Sequence, residues 1–271
     1  GANFGFTLLW ALLFSVLATW VLQEMAARLG LVTGEGLSQA LRTAFQHPAL
    51  NLATIILVVA AVGFGNAAYE AGNIAGAAIG AESLTDISAS IWAVIIGGIA
   101  GILLLTGRYA LMQNVLILLV LVMSIVFLVT MFLVDIDFAA VLKGLFQPSL
   151  PTGSELTVIA LIGTTVVPYN LFLHSTAVRE HWPADVPVNV ALRQSRWDTG
   201  LSIGLGGLIT LAIVSTSAAT FFQTGAEFSA SALATQLEPL LGSSAKVCFA
   251  LGLLAAGLTS AITAPLAAAY A

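Results

Sequence analysis

Charge is what this sequence has least of: Asp, Glu, Lys and Arg make up 8% of its 271 residues, where a soluble domain carries roughly a quarter. That scarcity excludes an ordinary soluble fold. The net charge of −5 is spread over connecting segments, with no basic run or face, which excludes a nucleic-acid partner. The one cysteine, Cys248, sits inside an apolar segment, so there is neither a disulfide framework nor a thiolate metal cluster. The histidines His47, His174 and His181 fall at no metal-ligand spacing, and no His-Glu-x-x-His, Gly-x-Ser-x-Gly or phosphate-loop motif occurs. The sequence offers no nucleophile and base for an enzyme and no motif for a resident cofactor.

What fills the chain instead is apolar, at 59% of residues. Seven segments free of Asp, Glu, Lys and Arg are long enough to span a bilayer, which takes about 20 apolar residues: Phe4–Leu22, Ala49–Tyr69, Ile87–Thr106, Tyr109–Val134, Leu156–Val178, Thr199–Gly225 and Val247–Ala271. The expected fold class is an all-α, polytopic membrane protein, with 1–271 read as one transmembrane domain in the lipid bilayer.

Basic residues set the expected orientation, since Lys and Arg are retained on the cytoplasmic side. Arg28, Arg42, Arg108, Arg179, Arg193 and Arg196 fall on one side of the predicted spans, and Lys143 and Lys246 on the other. The first span then runs outside to inside. Trp10, Trp20, Trp92, Trp182 and Trp197 suit interfacial anchoring. The chain opens almost directly on a span with no Met or basic leader and stops within apolar sequence, so at least one further helix is expected beyond each end.

The fifth span carries the chemistry. It reads Gly163-Thr164-Thr165-Val166-Val167-Pro168-Tyr169-Asn170-Leu171-Phe172-Leu173-His174-Ser175. Pro168 has no N–H and clashes with the preceding turn, so carbonyls around Thr164 and Thr165 are expected to lose helical partners and to be able to face a cation. Discontinuous helices of this kind mark substrate sites in secondary transporters. A proline kink alone can be purely structural, but Asn170 and His174 lie four residues apart on one face beyond it, and polar groups at membrane depth usually face a cavity or a partner. His174 is open to both a packing and a proton-handling role.

Glu70 is the second focus. With Asn66 four residues before it and Asn73 three after, it forms a polar stripe, and Gly63, Gly65, Gly72 and Gly76 would let another helix approach. A hydrated position at the outer interface is the alternative for this carboxylate. Glu24 and Arg28 are spaced to pair, and Asp198 is placed to cap the sixth span.

Taken together, these residues resemble the Nramp divalent-metal transporters. The stretch Gly163–Ser175 is similar to their sixth helix, where a Met-Pro-His core is flanked by Gly-x-Thr-Val and Leu-x-Leu-His-Ser. Ala27–Gly34, Arg196-Trp197-Asp198 and Ala255–Ser260 resemble further landmarks in the family's order. The resemblance covers essentially the whole chain. It implies helices two to eight of a LeuT-like, inverted-repeat fold, incomplete without the family's first helix and its Asp-Pro-Gly-Asn break.

It also implies a cargo of divalent metal ion, no cofactor, possible coupling to protons, and residence in a bacterial inner membrane. The implied metal site comprises Thr164, Val167, Pro168, Tyr169 and Asn170, with Glu70, Asn73 and His174 on a proton path or gate. Val167 replaces the family's methionine and Tyr169 its histidine. Without the thioether the site leans from manganese or iron toward hard, oxygen-ligated ions such as magnesium, while an unperturbed tyrosine titrates far above neutral pH. An amino-acid or other small-solute symporter on the same fold is the alternative.

Overall fold

The computed structural model describes residues 1–85, 87–106, 110–182, 185–228 and 232–269, with the backbone alone at 110–113 and 115. Arg108, Tyr109 and Ala271, used above for orientation or span ends, lie outside the described residues. Every regular element among those described is helical: α1 (Leu9–Thr33), α2 (Leu37–Ala44), α3 (Pro48–Val59), α4 (Asn66–Leu84), α5 (Ala89–Thr106), α6 (Ala110–Leu133), α7 (Phe138–Phe146), α8 (Glu155–Thr165), α9 (Pro168–His181), α10 (Val188–Ser217), α11 (Glu238–Leu241) and α12 (Ala245–Ala269).

Among the described residues seven stretches are long and apolar enough to cross a membrane, each overlapping one of the predicted segments with different ends. With no water in the hydrocarbon to satisfy backbone groups, helices are what such sequence must form. Large apolar side chains point outward, Leu105 at 89% exposure and Phe64 and Leu156 at 80%, the reverse of a soluble surface. The chain is an integral, multi-pass membrane protein.

Element ends differ from the sequence reading where tertiary partners intervene. Helix α1 starts five residues later than Phe4 and runs on to Thr33, carrying Glu24 and Arg28 inside it. The second span is one unbroken run of 37 residues, Pro48–Leu84, in which α3 passes through a π-helical stretch, Ala60–Gly65, into α4. Helix α10 begins at Val188, so Asp198 is an interior residue and does not cap it.

The chain divides into two units. One comprises Gly1–Phe14, Ala71–Ile162 and Gly206–Ile262. Its core is built from small residues that let helices meet closely. A Cβ at Gly257 of α12 would sit 2.5 Å from the Asn73 carbonyl and 2.6 Å from the Ala77 nitrogen of α4, and one at Gly80 would sit 2.7 Å from the Ala250 carbonyl. Ala77, Ala78 and Ala81 pack with Ile96 beside this contact.

The other unit comprises Ser15–Glu70, Gly163–Leu205 and Thr263–Ala271. Here Gly30 of α1 lies against the Ser175 carbonyl and Val178 of α9 with no room for a Cβ. The Leu37 N–H donates to the Ser175 hydroxyl at 2.9 Å, tying α2 to the same helix.

Candidate functional site

Length alone makes the fifth span discontinuous. Helix α8 has 11 residues and α9 has 14, so at 1.5 Å per residue neither crosses the ~30 Å hydrocarbon core and only the two together do. Between them Val167 is extended, at φ −92° and ψ 118°, and Pro168 opens α9. The residue before a proline is sterically driven out of the helical region, and proline is well suited to a first helical turn. The N–H that Pro168 lacks is the one a continuous helix would have aimed at the Thr164 carbonyl.

The expectation that neighbouring carbonyls lose helical partners needs refining. The Gly163 carbonyl accepts from the Tyr69 hydroxyl of α4 at 2.6 Å, and the Thr165 carbonyl accepts from the Thr19 hydroxyl of α1 at 3.2 Å. The Val167 carbonyl accepts from the Asn170 N–H at 3.2 Å, the first turn of α9. Side chains from two other helices thus hold the frayed end of α8 in place, as buried backbone groups require. Neither Thr19 nor Tyr69 was singled out from sequence. The available signal was a hydroxyl in the middle of an apolar span and a tyrosine beside the lone acid Glu70.

The remaining predicted residues fall as follows. Thr164 is exposed, and Val167, Pro168, Tyr169 and Asn170 are half-buried around the break. The Tyr169 ring meets the Tyr69 ring edge to face, with centroids 5.8 Å apart, a favourable aromatic geometry. His174 lies one turn beyond Asn170, its Nε2 3.3 Å from the Thr199 hydroxyl of α10. It lines a cavity of about 540 Å³ with His181, Trp182, Gln194 and Asp198. The sequence reading gave Asp198 to a cap, and the structure gives it to this cavity.

Glu70 and Asn73 are both half-buried on α4. Asn66 is buried and donates its amide to the Ala264 carbonyl of α12 at 3.1 Å, a packing role one residue ahead of Pro265. Of the four glycines expected to admit a helix, Gly63, Gly65 and Gly72 would have nothing within 4 Å of a Cβ among the described residues, while one at Gly76 would sit 3.9 Å from the Leu253 side chain of α12, an ordinary contact. Close approach falls to Gly80 and Gly257 instead.

The pairing of Glu24 with Arg28 is present at 3.6 Å, but the shorter contact is one the sequence reading missed, Arg196 of α10 at 2.8 Å from the same carboxylate. Among the described residues no three His, Cys, Asp or Glu side chains stand close enough to hold a metal ion together.

Known proteins resemble this chain over nearly all of its length. The divalent metal cation transporter MntH of Pectobacterium carotovorum is 31% identical over 278 residues, and that of Klebsiella pneumoniae 29% over 273. Each match takes in 98% of this chain and 64% of the relative, so the chain spans somewhat under two thirds of their length. Among solved structures, the manganese transporter of Eremococcus coleocola superposes over 100% of this chain and 59% of its own with a TM-score of 0.73, at 24% identity, which establishes the shared LeuT-like fold. The family model described as natural resistance-associated macrophage protein-like matches residues 1–271, and the chain belongs to the Nramp family.

Proposed function

We propose that this chain forms part of a secondary transporter that carries divalent metal ions across a bacterial inner membrane by alternating access. The observation that carries the reading is the break at Val167–Pro168, which divides one membrane-length segment into two half-helices inside a chain matched throughout by the Nramp family. Relatives named as divalent metal cation transporters, all bacterial among those cited, support the cargo and the membrane. The metal is cargo, not a cofactor.

In this reading Thr164 and Val167 offer carbonyl oxygen, Pro168 keeps α8 and α9 apart, Asn170 adds an amide oxygen, and Tyr169 packs beside them. Unwound backbone of this kind coordinates cations in transporters of discontinuous-helix design. Oxygen donors without a thioether suit hard ions, so magnesium and manganese are favoured over cadmium. Protons are the proposed coupling ion, with Glu70 as the titrating group, Asn73 beside it on α4, and His174 leading toward the cavity it shares with Asp198.

Uptake by the protein in proteoliposomes, compared across magnesium, manganese, calcium and cadmium, tests the proposal. Saturable uptake of magnesium or manganese supports it. Uptake of none of the four, with vesicles shown to be sealed and the protein folded, overturns it.

A further inference from the structure

Helix α7 stands between two spans and is itself only nine residues long, about 14 Å at 1.5 Å per residue, far too short to cross. Asp137 caps its start, its carboxylate accepting from the N–H groups of Ala139 and Ala140 at 2.9 and 3.1 Å. One face is fixed: Val141 and Gly144 are buried, and Gly144 lies on the Phe6 carbonyl so closely that a Cβ there would overlap it.

A second face is apolar and open. Phe138, Leu142 and Phe146, each four residues apart, are 50, 57 and 69% exposed. This stripe continues the outward surface of a span, because Phe138 stacks on Phe132 at the end of α6, with centroids 6.5 Å apart and the rings within 26° of parallel. Phe132 is itself 72% exposed. At the edge of the stripe Lys143 borders a cavity of about 540 Å³ together with Thr7, Gln147 and Ser149.

We propose that α7 is an in-plane interfacial helix and that Lys143 and its cavity hold the headgroup of an anionic phospholipid whose chains lie on the Phe138–Leu142–Phe146 stripe. Continuity with the lipid-facing side of α6 names the occupant. A short amphipathic helix with a basic residue beside its apolar face is what seats at the boundary of headgroups and chains, and a lysine there extends its ammonium to the phosphates while its stem stays on apolar surface. In sequence Lys143 falls on the side of the predicted spans opposite the arginines, where basic residues are scarce, so one cation there has few competitors. The proposal is independent of which ion is carried.

The test has two arms. In a Cys248→Ser background, nitroxide labels at Leu142→Cys and Phe146→Cys are read in nanodiscs of phosphatidylcholine and phosphatidylglycerol. Access to oxygen several-fold above access to a water-soluble nickel chelate is expected. Equal access to the chelate, or exclusion of both reagents as a second copy or another protein would cause, overturns the placement. Native mass spectrometry then compares retained phosphatidylglycerol with phosphatidylcholine. Lys143→Gln is expected to lower that preference about fivefold, the weight of one basic residue near an anionic surface, with Lys246→Gln leaving it unchanged. No change for Lys143→Gln, or the same loss in both variants, overturns the headgroup site.

Discussion

In the proposed site Val167 is a side chain whose chemistry would bear on the ion more than on the fold. It stands extended between two half-helices, so a longer, unbranched residue there meets little helical constraint. If the proposed site holds the ion, Val167→Met adds a soft sulfur donor beside its oxygen donors, and the ratio of cadmium or manganese uptake to magnesium uptake should rise about five- to tenfold. Unchanged ratios in a folded variant would remove Val167 from the site. Glu70 is tested by removing its charge, since Glu70→Gln keeps the shape and one acceptor oxygen while abolishing the titration. Uptake should then lose most of its pH dependence, or slow while ion binding persists. An internal pH dye checks it: a wild type that moves metal without acidifying the lumen would leave Glu70 outside any proton route.

Packing between elements makes a different kind of prediction. Gly257 cannot accept a side chain, because the atoms a Cβ would strike are the Asn73 carbonyl and the Ala77 nitrogen, backbone of a neighbouring helix that cannot rotate away. Gly257→Val should therefore cost at least the 1–3 kcal/mol typical of overpacking and appear as a lowered melting temperature and loss of a monodisperse peak. Gly72→Ala, facing open space among the described residues, should match wild type in both.

The same contrast shows what was legible in the sequence. The break at Pro168 could be read directly because a missing N–H and a ring clash act within one turn. Which glycines receive a neighbour could not, because Gly63, Gly65 and Gly72 share composition with Gly80 and Gly257 and differ only in what lies opposite. The run-on of α1 through Glu24 and Arg28 was hidden for the same reason, since the carboxylate's closest partner, Arg196, is 172 residues away. Thr19 and Tyr69 likewise meet α8 through contacts that no local spacing announces.

At the scale of the whole molecule, the arginines make the orientation testable. Six lie on one side of the spans in sequence and only two lysines on the other, and retention of basic residues on the cytoplasmic side places α7 outside. The unit that holds Arg28, Arg193 and Arg196 is consistent with this. Arg28 and Arg196 meet at Glu24, and Arg193 and Arg196 fall in the first turns of α10, ahead of its uncharged stretch from Thr199. A helix of 30 residues is about 45 Å long at 1.5 Å per residue and exceeds the ~30 Å core, so those turns have room to stand in the aqueous phase. In a Cys248→Ser background, Gln147→Cys just beyond α7 should react with a membrane-impermeant maleimide in intact cells. Gln194→Cys, between Arg193 and Arg196, should react only after permeabilisation. Both positions are exposed, so failure to label cannot be laid to burial. The opposite pattern would invert the molecule, and with it the direction of transport proposed for the break at Pro168.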